Sequence, residues 1–279
     1  MALILDGKAV AAAYKAKIKA KVDALAAQNI TCGLAILLVG NDAASRIYAD
    51  RLVKLATGLG VQAVVRHLPA DATEEEVLAL VCELNEDDHI HGILPMMPLP
   101  PHLATDRVAA ALAPDKDVDA LHPLNAGLVA TGKSRWAPCT PRAVMAILDY
   151  YQIDVSGKHA VVIGRSNVVG KPLAHLLLGQ NATVTVCHSK TRDLAALTRQ
   201  ADVIVAAVGR PALIGPDMVR PGAVVIDVGI NEVNGAVVGD VDYDAVFPIA
   251  GAITPVPGGV GAVTTVMVVE AALRSFGDL

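Results

Sequence analysis

At 279 residues the chain is long for one compact core and comfortable for two. Hydrophobic residues make up 53% of it and aromatic ones only 3%, with a mean hydropathy of +0.48, the profile of a globular protein rich in Ala, Val and Leu. A net charge of −5 argues against nucleic acid or an anionic membrane as partner, and the four cysteines, Cys32, Cys82, Cys139 and Cys187, have neither metal-ligand spacing nor the density of a disulfide scaffold.

No uninterrupted apolar run reaches the roughly 18 residues of a membrane span. In MALILDGKAVAAAYKAKI the charged residues follow the short apolar run, the reverse of a signal-peptide layout, so a cytoplasmic protein is expected. The first predicted element is a helix over about 8–28, followed by a fully buried strand at CGLAILLVG, residues 32–40. A helix is predicted over 44–59, with Ile47, Tyr48, Leu52, Leu55 and Leu59 on one stripe and Gly60 as its stop. The next strand, 62–67, leads to a helix opened by a capping box, Thr73 to Glu76. HGILPMMPLPPH, residues 91–102, reads as a strand running into a proline-rich active-site edge. This alternation implies an α/β fold with a mainly parallel sheet and helices on both faces. The segment 113–141 is polar, proline-bearing and aperiodic, and is the expected domain junction. From Arg142 a helix leads into a second half with buried strands at 201–209 and 222–231, and PVPGGVG, residues 255–261, opens a terminal helix expected to pack on the first domain. No repeat of 20 to 50 residues is present.

HAVVIGRSNVVGKP, residues 159–172, carries the strongest functional signal: a buried strand, a glycine-bearing turn and a helix start. Gly164 lets the backbone turn off the strand, Ser166 keeps the second turn position small, and Gly170 lets the helix pack close with its amide-rich end toward an anion. The spacing G-x-S-x-x-x-G is one residue longer than the usual dinucleotide fingerprint. The next strand, 182–187, ends in His188, Ser189, Lys190 and Thr191. An NAD site would place a carboxylate there. Its absence, with Arg165 and Ser189 as donors to a 2′-phosphate, favours NADP.

LDGK (5–8), VGNDAASRIY (39–48), HGIL and PLP (91–94, 98–100), DKDVD (115–119), PCTP (138–141), GRSNVVGKP (164–172), ATVTVCHSKT (182–191), DVGIN (227–231) and TPVPGGVG (254–261) run nearly end to end in the chain. In this order they resemble the FolD family of bifunctional methylenetetrahydrofolate dehydrogenases and methenyltetrahydrofolate cyclohydrolases. The resemblance implies two α/β domains flanking a cleft: a folate domain, 1–141, completed by the terminal helix 262–279, and a Rossmann-like NADP-binding domain with a parallel sheet, 142–261. It also implies a homodimer and a tetrahydrofolate derivative as substrate, with no metal. Gly164, Arg165, Ser166, Ser189 and Ile230 would then line the NADP site. Tyr48 would stack on the pterin or aminobenzoyl portion, Asp119 would hydrogen-bond the pterin, and the loop Pro257, Gly258, Gly259 would close over folate.

The chain departs from that family at one place above all. Where the family has Ser-x-x-Tyr-x-x-x-Lys, with the lysine tied to the cyclohydrolase step, this helix has Leu52; where the family has a glutamine to pair with it, the run GILPMMPLP has Met96. Two polar partners have become apolar together, which is coherent, because a lone glutamine facing leucine would lack a partner. Lys54 lies roughly 200° round the helix from Leu52, and the guanidinium of Arg51 stays protonated and cannot act as a base. Ala120 and Ala262 stand where the family usually has Gly and Pro. The expectation is a dehydrogenase with weak or absent cyclohydrolase activity; the alternatives are an NADP-dependent enzyme acting on a different reduced pterin or other small molecule, and a catalytically silent NADP-binding homologue.

Overall fold

The computed structural model describes residues 1–134 and 137–277. Its elements in chain order are β1 (Leu3–Ile4), α1 (Gly7–Ala26), β2 (Gly33–Val39), α2 (Ala43–Leu59), β3 (Gln62–Leu68), α3 (Glu74–Glu86), β4 (Gly92–Pro95), α4 (Thr105–Ala111), α5 (Pro123–Ala130), α6 (Cys139–Tyr150), β5 (His159–Ile163), α7 (Gly170–Gly179), β6 (Thr183–Cys187), α8 (Leu194–Thr198), β7 (Val203–Ala206), β8 (Val224–Asp227), β9 (Asn231–Val233), β10 (Ala236–Val238), α9 (Tyr243–Val246), β11 (Ala252–Ile253) and α10 (Val260–Ala272). They divide into two compact units, one of residues 1–12 and 129–264, the other of residues 13–128 and 265–279.

The second of these units is built on a parallel sheet in the order β3-β2-β4. Every residue of β2 is buried, as expected of a central strand covered on both faces. Asp42 starts α2 by accepting from the Ser45 amide at 2.7 Å, and Gly60 ends it in the left-handed region at φ 90°. The predicted capping box closes at the head of α3, where the Thr73 amide donates to Glu76 Oε2 at 2.8 Å and the Glu76 amide to Thr73 Oγ1 at 3.2 Å. The buried face of α2 is Ser45, Ala49, Leu52, Ala56 and Leu59. Ile47, expected on that stripe, is exposed, because it lies roughly 200° round the helix from Ala49. The C-terminal residues belong to this unit: Cys32 Sγ donates to the Ala272 carbonyl at 3.2 Å, and Lys21 Nζ to that of Phe276 at 2.8 Å.

The other unit carries a six-stranded sheet in the order β1-β11-β8-β7-β5-β6, parallel at every pairing. Its core runs through Val161, Ile163, Ile204, Ile214, Val225, Val246 and Ile253. The first residues of the chain complete this sheet rather than the N-terminal one. Leu3 and Leu5 amides donate to the Gly251 and Ile253 carbonyls, both at 2.8 Å, a non-local pairing that a two-residue strand does not announce. The segment 113–141 is also more ordered than its composition suggests. It holds α5, which starts on Pro123 and has the Leu124 amide bonded to His122 Nδ1 at 3.0 Å, and it holds the start of α6 at Cys139, ahead of Arg142. Positions 135 and 136 of that segment, and 278 and 279 of the terminal one, lie outside the described residues. The boundary between the units falls within α5, at 128/129. Among the described residues no helix is long and apolar enough to cross a membrane, and no cluster of His, Cys, Asp and Glu is arranged to hold a metal.

Candidate functional site

The chain steps from β5 out to β6 and then back past β5 to β7, so the strand order reverses at β5 and opens a crevice at the C-terminal ends of β5 and β7. A cavity of about 450 Å³ lies there, lined by Gly164 and Arg165 after β5, His188, Ser189 and Thr191 after β6, and Val208 and Arg210 after β7. No carboxylate is among the lining residues.

The turn from β5 into α7 explains its own sequence. Gly164 sits at φ 128°, and a Cβ there would collide with the Ala207 carbonyl. A Cβ on Gly170 would run into the backbone of Gly164 and come within 2.8 Å of the Arg165 nitrogen. Both glycines are therefore required by close backbone approach. Ser166 does more than stay small: its hydroxyl accepts from the Val169 and Gly170 amides at 3.1 and 3.4 Å, fixing the first turn of α7. The turn after β6 is likewise tied to itself. The His188 amide donates to Thr191 Oγ1 and the Thr191 amide to the His188 carbonyl, both at 2.8 Å. This holds Ser189 and Thr191 at the rim, where Arg165 and Ser189 are exposed.

Ile230 is 68% exposed on the loop after β8, and its Cδ1 lies close to Gly261 at the start of α10. Pro257, Gly258 and Gly259 lead into the same helix, with Gly258 at φ 106°. Gly7 of LDGK packs on the Gly258–Gly259 backbone so closely that a Cβ would overlap it. Nearby, the Lys8 amide bonds Asp6 Oδ1 and the Asp6 amide bonds the Tyr151 hydroxyl, each at 2.9 Å.

Behind the cavity lie two buried acids that the sequence reading did not single out. Asp227, at the end of β8, accepts from the Gly229, Asp240 and Val241 amides, each at 2.9 Å. Burial pushes its carboxyl up to about 6, against those three donors, which hold it down. Asp240 accepts from the Val208, Gly209 and Arg210 amides at 2.7, 3.0 and 2.8 Å. Arg210, Thr191 and His188 were also missed as lining residues; the available signal was their position directly after parallel strands.

In the other unit Tyr48 is half-buried on α2, and Leu52, one turn on, is 0% exposed. Arg51 and Lys54 are exposed. Met96 is buried just past β4, where its amide donates to the Leu37 carbonyl at 2.8 Å. The DKDVD segment runs beside β4 through the Ile93–Asp117 bridge. Its inner charges do structural work. Lys116 Nζ donates to the carbonyls of Asn85 and Asp87 at 2.7 and 2.8 Å, at the C-terminal end of α3. Asp117 accepts from the Leu121 and His122 amides at 3.1 and 2.8 Å and from Asn125 Nδ2 at 2.9 Å. Asp119 follows, half-buried, and Ala120 takes the left-handed region at φ 49°, which accounts for the glycine that the motif usually carries there.

Comparison with known proteins covers the whole of this arrangement. The catalytic-domain model of tetrahydrofolate dehydrogenase/cyclohydrolase matches residues 5–119, and the NAD(P)-binding-domain model of the same family matches 138–278. The bifunctional protein FolD of Geotalea daltonii is 51% identical over 276 residues, 99% of each chain. Among solved structures, the bifunctional FolD methylenetetrahydrofolate dehydrogenase/cyclohydrolase of Campylobacter jejuni superposes with a TM-score of 0.97 at 45% identity, over 99% of this chain and 98% of that one. The methylenetetrahydrofolate dehydrogenase-cyclohydrolase (FolD) of Trypanosoma brucei, complexed with NADP cofactor and inhibitor, superposes at 0.94 with 36% identity, over 99% and 97%.

Proposed function

The chain belongs to the tetrahydrofolate dehydrogenase/cyclohydrolase family, and on that premise we propose that it oxidises methylenetetrahydrofolate to the methenyl form with NADP and hydrolyses the methenyl product poorly. The observation that carries the second half is Leu52, a fully buried hydrocarbon where the resemblance calls for a lysine.

Bound NADP supplies the hydride acceptor. The unit built on the six-stranded sheet holds it: the Gly164–Gly170 turn lets a pyrophosphate approach the backbone, Arg165 and Ser189 pair with the 2′-phosphate, and Ile230 offers an exposed apolar contact. The absence of a carboxylate from the cavity lining supports NADP over NAD. In the folate reading Tyr48 stacks on the substrate, Asp119 hydrogen-bonds the pterin, and Pro257, Gly258 and Gly259 close on it. The chain acts as a cytoplasmic homodimer whose contact comes from the nucleotide-binding half.

Oxidation of a methylene bridge to a methenyl cation gives up a hydride and no proton. It therefore asks the protein for alignment rather than acid–base groups. Hydrolysis of that cation adds water, which must lose a proton, a task in which a positioned acid–base group contributes about 10²- to 10⁴-fold. Neither neighbour of Leu52 supplies one in its place: Lys54 points away by roughly 200°, and a guanidinium at Arg51 stays charged. A steady-state assay of both half-reactions on the purified protein tests the proposal. NADP reduction with methylenetetrahydrofolate, and methenyl decay close to the uncatalysed rate, are expected. Rapid enzymatic hydrolysis would refute the split, and absence of NADP reduction would refute the activity.

A further inference from the structure

The acids behind the cavity join the loop after β7, which lines it, to the loop after β8, which carries Ile230. Asp240 is 0% exposed and Asp227 3%. The Asp240 carboxylate is wrapped by three successive amides, Val208, Gly209 and Arg210, at 2.7, 3.0 and 2.8 Å, and by Asn231 Nδ2 at 3.0 Å. Successive amides curled around an oxygen form a nest that suits an anion. Here the chain supplies the anion itself. Asp227 holds Asp240 from behind, accepting the Asp240 and Val241 amides, both at 2.9 Å. The space is filled: a Cβ on Gly229 would reach 2.6 Å from the Asp240 nitrogen, and one on Gly239 would overlap the Asp227 carboxylate.

We propose that Asp240 is a positioning residue for the dinucleotide, acting through the loop Ala207–Arg210 after β7 and, by way of Asn231, through the loop that carries Ile230 after β8. The proposal rests on the reading of the cavity at β5 as the NADP site. Asp240 is not among the residues lining that cavity, whereas Val208 and Arg210, whose amides it holds, are. Arg210 thereby becomes a second cation at a rim that already has Arg165. Ile230 stands between Gly229, whose amide is bonded to Asp227, and Asn231, whose side chain is bonded to Asp240. One buried couple therefore holds both loops, and removing its charge loosens them together, while Tyr48 and Asp119, the residues of the folate reading, lie in the other compact unit.

The test is Asp240→Asn, which keeps the shape but turns an NH2 group toward amide donors. The expected result is an NADP dissociation constant raised about ten-fold or more, with kcat at saturating NADP and KM for the folate substrate each within about two- to three-fold of the parent. Parallel loss of kcat and of thermal stability with unchanged NADP affinity would overturn the proposal and leave Asp240 a purely structural residue. Arg165→Ala, measured alongside, separates the two levels of the argument. If Arg165→Ala leaves NADP affinity unchanged, the cavity reading itself fails; if Arg165→Ala weakens NADP and Asp240→Asn does not, only the positioning role fails. Should Asp240→Asn not fold, the half-buried Asn231→Ala decides, since it removes the tie between the loops and leaves the three amide bonds in place. Weaker NADP binding at unchanged folate KM supports the role, and unchanged NADP binding refutes it.

Discussion

Restoring a lysine at position 52 is the most demanding test of why this chain would separate oxidation from hydrolysis. Leu52 is 0% exposed, so Leu52→Lys forfeits about 1.5–3 kcal/mol of side-chain burial. Keeping the new amine neutral near pH 7, from a free value of about 10.4, would cost about 4–5 kcal/mol if the site stayed dry. The lysine stem can carry its head partway to water, which trims that penalty. A net loss of at least about 2 kcal/mol follows, or a fall of at least roughly 4–8 °C in Tm for a chain of this size. Met96, the second buried apolar residue of the pair, decides how much activity the amine recovers. Because the resemblance pairs a glutamine with that lysine, Met96→Gln should restore its hydrogen-bond partner, and residues that interact in this way couple by about 0.5–3 kcal/mol. The assay is the decay of methenyl absorbance under single-substrate conditions against a buffer blank, with melting curves on the same samples. Leu52→Lys alone should recover hydrolysis partially, and the double variant should exceed the sum of the single changes. Vigorous hydrolysis by the unaltered protein would refute the reasoning and direct attention to Arg51 and Lys54. A Leu52→Lys protein as stable as the parent would show that the amine never enters the buried position.

Four further expectations are specific to this structure. NADP should bind more tightly than NAD, and Arg165→Ala should weaken NADP about 10- to 100-fold, the worth of one charged hydrogen bond, while barely affecting NAD; equal parent affinities for the two cofactors would contradict this. The Asp227 carboxyl is raised to about 6 from 3.8 by burial, so the folded chain holds that proton more tightly than the unfolded one, and stability should fall as pH rises from about 4 through about 6. Denaturant titrations across that window should show a slope that disappears in Asp227→Asn. Ala120→Gly should raise stability by about 0.5–1 kcal/mol, because Ala120 sits at φ 49° and the relief of left-handed strain exceeds the added chain entropy; an unchanged or lower Tm would count against it. Light scattering at micromolar concentration should give twice the 28.8 kDa chain mass, and a monomer would remove the dimer from the proposal.

What could be read from the sequence was local. The Gly60 stop of α2 and the Thr73–Glu76 box depend on residues within a few positions of each other, and the fully buried β2 is visible as an unbroken apolar run. The helical stripe on α2 was read one residue too wide, since Ile47 is as apolar as its neighbours and only packing decides that it faces outward. The helix α5 was hidden because PLNAGLVA has no polar face to give it a period. The placement of residues 1–12 was hidden for a different reason: the pairing of Leu3–Ile4 with Ala252–Ile253 spans nearly the whole chain, and a two-residue strand carries too little pattern to point to its partner.

The same distinction separates the legible half of the cofactor cavity from the illegible one. Gly164, Ser166 and Gly170 announce themselves because they fall within a span of seven residues: Gly170 has no room for a Cβ against the Gly164 backbone, and Gly164 needs its own φ of 128°, in addition to the Ala207 carbonyl that the loop after β7 brings against it. The opposite wall, Val208 to Arg210, has nothing of its own to fix its shape. Its amides are held by a carboxylate 30 to 32 positions on, and Asp240 reads in sequence as one acid among several in a polar stretch. A buried acid that serves the backbone leaves no side-chain motif, because its partners are amides common to every residue except proline. The signal that does exist is indirect. Gly229 and Gly239 are spaced around the two aspartates and have no room for a Cβ, so a pair of glycines near a pair of acids, each following a buried parallel strand or returning toward one, is the pattern from which such a clamp could have been inferred.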